Sequence, residues 1–253
     1  MRSGKKMKNS SLNKEIQECE KCGLYKTRIN VLTGEGNLNA RLMLIAQAPG
    51  ENEDKEGKMF IGPSGKVLDE LFKNADISRR EIYMTNLIKC MLPKNRKPKQ
   101  HEIQACSQYL DKEIELINPK VIVPLGYYAT QYIMKKYEIN MPESKSEAFG
   151  KLFLSDIIKI FPLSHPASLI YNESFKSKMV NDYKKLKILS QECKWYQVCP
   201  MKSFYEQGKL DKKWIENYCK GNWQDCVRFF KEENGIYHPD NMLPNGEIDK
   251  SLS

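Results

Sequence analysis

Short apolar runs alternate with amphipathic segments over residues 41–187. The runs RLMLIA, EIYMTNLI and KVIVPLG predict buried strands, whereas GKVLDELFKNA and the segment 100–117 predict helices between them. Two further short strands, KLFLSD and IIKIFPLS, precede a lysine-rich helix that ends near Ser190. Strands that alternate with helices are typical of α/β folds. We therefore predict an α/β domain with a mostly parallel central sheet.

The helix predicted over residues 100–117 has a single apolar face. Its apolar residues recur at intervals of three or four positions, which is the spacing of one helix face; they are Ile103, Cys106, Leu110, Ile114 and Ile117. The pattern therefore directs Cys106 toward the core.

The composition changes after Ser190. Residues 190–253 contain four of the eight cysteines and all three tryptophans. We predict three parts: a basic, flexible N-terminus over residues 1–17, the α/β domain over residues 18–189, and a small α-rich, cysteine-containing module over residues 190–253. The module is a candidate for metal binding, because a segment of this size gains much stability from a metal.

The charge of the chain favours a polyanionic partner. The 41 Lys and Arg residues exceed the 32 Asp and Glu residues, which gives a net charge of +9. Nucleic acid is the first candidate and an acidic membrane surface the second. No apolar run approaches the roughly 20 residues of a membrane span, and the basic start lacks the apolar segment of a secretory signal. We therefore expect a cytoplasmic protein with reduced cysteines.

The first cysteine set consists of the C-x2-C pair Cys19 and Cys22 together with Cys90 and Cys106. Two close thiolates and two distant ones can complete a tetrahedral metal site, with iron and zinc both open. The alternative is that Cys90 and Cys106 are ordinary buried thiols.

The second cysteine set lies in the C-terminal module and consists of Cys193, Cys199, Cys219 and Cys226. It predicts an iron–sulfur cluster or a zinc ion, and His238 could replace one ligand. The alternative is a set of buried core cysteines in a tryptophan-rich module.

Three loops are expected at one edge of the sheet, because ligands of open α/β folds bind outside the carboxyl ends of the strands. These loops span residues 47–60, 86–96 and 164–171. The first contains Glu51, Glu53, Asp54 and Glu56, and a carboxylate there could orient or deprotonate an attacking water. The alternative is a solvated acidic turn.

Aromatic, amide and imidazole side chains accompany these acids. Phe60 could stack on a planar ligand, Asn86 could read a base edge, and His165 could stabilise an anionic leaving group. Core packing, turn capping and a structural histidine are the respective alternatives. GPSGK could offer backbone N–H groups and Lys66 to a phosphate, but it lacks the Walker pattern, so nucleotide hydrolysis is not supported.

Together these motifs resemble the family 4 uracil-DNA glycosylases, the iron–sulfur branch of their superfamily. The resemblance covers residues 18–189 and includes the C-x2-C start, APGENEDKEGKMFIGPSGKVLDELF, YMTNLIKCMLPKNRKPKQHEIQAC, PKVIVPLG and FPLSHPASL. It implies a three-layer α/β/α sandwich and a monomeric enzyme that hydrolyses the N-glycosidic bond of deoxyuridine in DNA. It also implies a structural [4Fe-4S] cluster on Cys19, Cys22, Cys90 and Cys106.

The resemblance also implies roles for residues of the loops. Phe60 would stack on the flipped base, Asn86 would read the uracil edge, and His165 would stabilise the departing uracil anion. Glu53 is the first choice for positioning the water, and Asp54 is the second.

One departure from the family pattern concerns the start of the first loop. The family usually has Gly-Glu where this chain has Ala46 and Gln47, which is followed by Ala48. We expect Gln47 and Ala48 to contact the substrate, although a glutamine cannot take a proton. The chain could therefore be a slow enzyme, an inactive iron–sulfur protein that recognises damaged DNA, or a glycosylase for another deaminated base.

DNA contacts are expected around the predicted cleft. Leu169, with Ile170 beside it, could fill the gap that a flipped base leaves in the duplex; the alternative is that both begin the next helix. Phosphate contacts would come from Lys66, Lys94, Arg96, Lys97 and Lys99. The resemblance supplies no role for residues 190–253, which could bind a protein partner.

Overall fold

The protein is described by a computed structural model that covers residues 2–155 and 158–252. Asp156 and Ile157, where the two last predicted strands meet, lie outside the described residues. The chain divides into two compact units, residues 1–184 and 185–253, and each is considered by itself. No helix of the described chain has the length and apolarity that a membrane span requires.

The first unit is built on a six-stranded sheet with the order β1-β3-β2-β4-β6-β5. In chain order the strands are β1 Glu35–Gly36, β2 Leu42–Ala46, β3 Ile82–Asn86, β4 Val121–Pro124, β5 Phe153–Leu154 and β6 Lys159–Ile160. The four central strands are parallel, and only β1 and β5, at the two edges, pair in the antiparallel sense. The predicted α/β fold with a mostly parallel sheet is confirmed.

Helices connect and cover these strands. They are α1 Arg2–Gln17, α2 Glu51–Glu56, α3 Pro63–Asn74, α4 Gln100–Ile117, α5 Tyr127–Lys136, α6 Ser168–Tyr171 and α7 Lys176–Ser190. The bounds of α4 are those that the apolar spacing predicts.

The core lies on both faces of the sheet, because successive side chains of a strand point in opposite directions. Met43 and Ile45 of β2 join a buried cluster with residues of α1, α4 and α5. Leu42 and Leu44 alternate with them and are also fully buried. Buried strands flanked by helices give the expected α/β/α layers.

The described part of the basic N-terminal segment, Arg2–Gln17, is a helix and not the flexible segment that the sequence predicts. Leu12 and Ile16 of α1 are buried in the cluster that includes α4. Lys112 of α4 also pairs with Glu15 of α1 at 2.5 Å. The segment has many lysines and few apolar residues, so its sequence does not indicate the buried positions. Packing against α4 supplies the stability that a helix of this length lacks in isolation.

The second unit consists of short helical segments. These are α8 Pro200–Glu206, α9 Lys212–Trp214, the π-helical turn Ile215–Cys219, a 3₁₀ turn over Trp223–Asp225, and α10 Val227–Glu233. A separate buried cluster holds them together, with Met201, Ile215 and Leu252 at its centre.

Candidate active site

Strand register brings the predicted loops to one edge of the sheet. Ala46 is paired with Asn86 across β2 and β3, and Leu125 after β4 bridges to Leu163. The loops that follow these residues enclose a cleft of about 540 Å³, a size typical of small-ligand sites. The predicted side chains that line it are Gln47, Ala48, Glu53, Phe60, Asn86 and His165.

The acidic segment is helical rather than a solvated turn. Gly50 is the N-cap of α2 and has an extended conformation, and Glu53 lies in the first helical turn. Glu53 Oε1 accepts a hydrogen bond from the backbone N–H of Gly62 at 2.7 Å. Within the described part of the chain, Glu53 Oε2 has no hydrogen-bond partner, so this oxygen is available to a water in the cleft.

Asp54 points away from the cleft, so its prediction as the second water-positioning residue is wrong. Its side chain is buried, and its carboxylate accepts hydrogen bonds from the backbone N–H groups of Ile29 at 3.1 Å and Asn30 at 3.3 Å. Adjacent helix positions point about 100° apart, which separates Asp54 from Glu53. Asp54 therefore anchors the loop over residues 29–30.

Phe60 has a left-handed backbone conformation with φ of 52°, which is unfavourable for a residue with a large side chain. The Arg79 guanidinium maintains it by donating to the carbonyl of Phe60 at 2.7 Å and to that of Met59 at 3.2 Å. Asp69 Oδ1 accepts from Arg79 Nε at 2.6 Å. A Cβ on Gly65 would lie 1.8 Å from the Phe60 carbonyl oxygen, so only glycine fits there.

Asn86 forms part of the wall of the cleft at the end of β3 and is only 2% exposed. Its Nδ2 donates to the thioether sulfur of Met59 at 3.0 Å. Thioether sulfur is a weak acceptor, so a carbonyl of a bound base would replace it favourably. Lys89 stabilises the backbone of Asn86, since its Nζ donates to the Asn86 carbonyl at 2.9 Å.

His165 lies opposite Phe60, with 6.2 Å between the ring centroids. Burial lowers the pKa of His165 to about 4, against an opposing effect of the Glu53 charge. The imidazole is therefore neutral at physiological pH. Its Nδ1 accepts from the backbone N–H of Ala167 at 3.2 Å, so the proton resides on Nε2, which is a hydrogen-bond donor.

The predicted wedge residues Leu169 and Ile170 belong to the short helix α6, part of which lines the cleft. Ile170 and Tyr171 of α6 line the cleft, with 48% and 88% of their surfaces exposed, whereas Leu169 is partly buried and does not line it. Within α6 the cleft is therefore lined by Ile170 and its neighbour Tyr171, and the structure does not place Leu169 there.

The predicted phosphate contacts also divide into two groups. Arg96 forms a bidentate pair with the buried carboxylate of Glu102, at 2.8 and 2.5 Å. Both terminal nitrogens of the guanidinium donate to Glu102, so the structure does not favour Arg96 as a phosphate contact, contrary to the prediction from the sequence. The remaining lysines are exposed to solvent, namely Lys66, Lys94, Lys97 and Lys99.

The first cysteine set converges on one pocket, which is lined by Cys19, Cys22, Cys90 and Cys106. The backbone N–H of Lys89 donates to Cys106 Sγ at 3.2 Å, and Arg28 Nη1 donates to Cys90 Sγ at 3.3 Å. Such N–H···S bonds stabilise thiolates. The residues therefore fit an anionic metal–thiolate centre.

Three residues of these sites escaped the sequence analysis, namely Arg79, Tyr171 and Arg28. Arg79 contacts Gly65 at a sequence separation of 14 positions, and Arg28 contacts Cys90 at a separation of 62. No spacing rule connects such positions. Tyr171 directly follows Ile170, which the sequence did indicate, so extending the predicted wedge by one residue would have included it.

Known proteins share most of the first unit. The model of the uracil DNA glycosylase superfamily matches residues 33–187. A type-4 uracil-DNA glycosylase of Saccharolobus solfataricus is 43% identical over 178 residues, which are 68% of this chain and 82% of that protein. A second, from Archaeoglobus fulgidus, is 34% identical over 177 residues, which are 68% and 88% of the two chains.

The matching segment contains β2, β3, β4 and the loops that line the cleft. Fold, site and relatives therefore agree, and the chain belongs to the type-4 branch of the uracil-DNA glycosylase superfamily.

Proposed function

We propose that this protein is a DNA repair glycosylase that hydrolyses the N-glycosidic bond of deoxyuridine in DNA, releases uracil and leaves an abasic site. The observation that carries the proposal is the convergence of Glu53, Phe60, Asn86 and His165 on one cleft. The type-4 uracil-DNA glycosylase relatives support the same chemistry.

Recognition of the base follows from the walls of the cleft. A base must leave the duplex to be reached, which costs a few kcal/mol. Phe60 stacks on the extruded ring, and the Asn86 amide, which has both a donor and an acceptor, pairs with the carbonyl and N–H of the uracil edge. Ile170 and Tyr171, exposed at the rim, fill the gap in the duplex.

Bond cleavage requires stabilisation of two charges. The C1′–N1 bond breaks with its electron pair on uracil, and the neutral His165 donates from Nε2–H to the resulting anion. Glu53 orients the water that adds to C1′ and accepts its proton through the available Oε2. Its negative charge also stabilises the positive sugar of an oxocarbenium-like transition state.

Gln47 contributes hydrogen bonds alone. It lines the cleft where the family usually has a glutamate, and its amide can hold the water or the base but takes no proton. Glu53 therefore carries the base role in this chain.

A [4Fe-4S] cluster fits the first cysteine set and has a structural role in this proposal. Cys19 and Cys22 follow α1, whereas Cys90 and Cys106 belong to the segment after β3 and to α4. The cluster would join these elements and contribute no step to base release. Because such clusters survive in reducing surroundings, we place the enzyme in the cytoplasm, where it acts as a monomer.

The direct test is single-turnover cleavage of labelled DNA with one uracil opposite guanine, opposite adenine and in a single strand. We expect uracil release by the wild type, and a loss of at least about 100-fold in His165→Ala and Asn86→Ala at unchanged DNA affinity. Lys73→Ala, which changes an exposed residue in the last turn of α3, is the matched control and should leave release unchanged.

A second outcome would identify a binding protein instead. If the wild type with its iron in place binds uracil-containing DNA without forming abasic sites, Gln47→Glu separates two cases. Activity gained in this variant would mean that Gln47 has silenced the enzyme. Continued inactivity would direct the search to other deaminated bases.

A further inference from the structure

The second cysteine set converges on a pocket of its own within the second unit. Cys193, Cys199, Cys219 and Cys226 all line this pocket, although up to 33 sequence positions separate them. Cys199 and Cys226 precede α8 and α10, and Cys219 ends the π-helical turn. The backbone N–H of Cys193 donates to the carbonyl of Cys219 at 2.7 Å, which fixes these two residues together.

The four cysteines are shielded from solvent to different degrees. Cys219 and Cys226 are buried, and Cys193 and Cys199 are partly buried. All four are free thiols, so no sulfur atom is used in a disulfide and each is available as a metal ligand.

Two buried donors that line the same pocket have no partner. Arg228 Nε and Trp223 Nε1 are shielded from solvent and form no hydrogen bond within the described chain. Arg228 is only 3% exposed, and its Nη1 donates to three backbone carbonyls. Among the described residues no carboxylate pairs with it, so the buried positive charge requires an anionic neighbour.

We propose that Cys193, Cys199, Cys219 and Cys226 bind a second iron–sulfur cluster of the [4Fe-4S] type. Four thiolates and the cluster core carry a net negative charge, which compensates Arg228. The sulfide and thiolate sulfurs accept hydrogen bonds from Arg228 Nε and Trp223 Nε1. The proposal is independent of uracil excision, since it concerns residues outside the segment that matches the superfamily.

The two buried donors favour a cluster over a single zinc ion. A tetrahedral zinc site offers four thiolate sulfurs as hydrogen-bond acceptors. An iron–sulfur cluster adds inorganic sulfides, which also accept hydrogen bonds. Arg228 Nε and Trp223 Nε1, which have no partner within the described chain, match these additional acceptors.

His238 is not required as a ligand. Its Nε2 lies 3.0 Å from Glu232 Oε1 and its Nδ1 lies 3.3 Å from the carbonyl of Pro239, so both ring nitrogens have partners. The four cysteines therefore form a complete ligand set by themselves.

The test is a metal count on the full-length protein, purified without oxygen from iron-supplemented cells. We expect about eight iron atoms and about eight acid-labile sulfides per wild-type chain, and no stoichiometric zinc. Cys199→Ser/Cys226→Ser should retain about four of each. The matched variant Cys19→Ser/Cys22→Ser should also retain about four, with a Mössbauer spectrum of the second site alone.

Other counts would overturn the proposal. About four irons with one zinc per wild-type chain would identify a zinc site, and about four irons without zinc would leave four buried thiols. About six irons would indicate a smaller cluster. Uracil release, measured on the same samples, is a separate readout: a chain with about eight irons and no glycosylase activity would refute the proposed function and retain this one.

Discussion

At the scale of single residues, the active site depends on one unfavourable backbone conformation. Phe60 has a positive φ, which costs about 1–3 kcal/mol for a residue with a side chain. Arg79 and the missing side chain of Gly65 maintain it, one by hydrogen bonds to the loop and the other by leaving room for the Phe60 carbonyl. The Phe60 ring, which we propose stacks on the base, is therefore positioned by Arg79 and Gly65.

Arg79→Lys should therefore slow base release without unfolding the protein. Lysine keeps the positive charge but lacks the planar fork whose three nitrogens donate to Asp69, Met59 and Phe60 in fixed directions. We expect the single-turnover rate constant of base release to fall about 10- to 100-fold, with a change in Tm of a few degrees. Arg80→Lys, at the exposed neighbouring position, is the control, and equal rates for the two variants would contradict the role of Arg79.

His165 should make stability depend on pH. Its pKa falls from about 6.5 in the unfolded chain to about 4 in the folded protein. Between these values the unfolded chain binds a proton that the folded protein does not, so acidification favours unfolding. The free energy of unfolding should decrease by up to about 1 kcal/mol per pH unit more steeply in the wild type than in His165→Gln.

This slope is measured by urea unfolding at several pH values between about 6.5 and 5. His101→Gln, which changes an exposed histidine in the first turn of α4, should retain the wild-type slope. A slope in His165→Gln as steep as that of the wild type would show that other groups cause the pH dependence.

At the scale of elements, the end of β3 is attached to α4 by a buried ion pair. Lys89 Nζ lies 2.5 Å from Glu113 Oε2, with side-chain exposures of 2% and 0%. The same ammonium donates to Thr85 Oγ1 at 2.6 Å, and Glu113 Oε1 accepts from the Gly34 backbone N–H at 3.0 Å. Two charges in the core thus fix the strand that carries Asn86.

Removal of one partner should be strongly destabilising. Glu113→Leu leaves the Lys89 ammonium buried and unpaired, and we expect a loss of about 3–5 kcal/mol in the free energy of unfolding. Glu15→Leu breaks a half-exposed pair between Glu15 of α1 and Lys112 of α4. This change should cost less than about 1 kcal/mol. The measurement is anaerobic urea unfolding, and similar losses in both variants would refute the argument.

At the scale of the whole molecule, part of the positive charge is used in internal contacts. The chain has a net charge of +9, yet Arg96 and Arg228 are held by internal partners and Arg79 by the Phe60 loop. The exposed lysines after β3 are the ones that we propose contact DNA. Their contribution is a sequence-independent attraction that weakens with salt, because binding releases counterions from the phosphates.

Lys97→Ala should therefore reduce the salt dependence of DNA binding. Loss of one phosphate contact changes the slope of log affinity against log salt by about 0.9 for duplex DNA. Lys73→Ala removes an equally exposed lysine at the far end of α3 and should leave the slope unchanged. Titrations by fluorescence anisotropy at several salt concentrations test this, and identical slopes for all three proteins would exclude Lys97 from the interface.

Much of this protein follows from its sequence alone. Hydrophobic periodicity predicted strands β2 to β6 but not the short edge strand β1, and it predicted the bounds of α4 and the burial of Cys106, because burial of an apolar face depends on local spacing. Motif order gave the family, and the rule for strand ends gave the edge at which the loops meet. These properties are local, or follow from chain order.

Only the tertiary structure decided which residues line the cleft and which form structural contacts instead. It assigned Glu53 to the cleft and Asp54 to an anchor, paired Arg96 internally, docked the basic N-terminal helix and brought Arg79 to Phe60. The direction of a side chain and its partner across long sequence separations depend on how the elements pack. A single sequence does not encode these contacts in any spacing pattern.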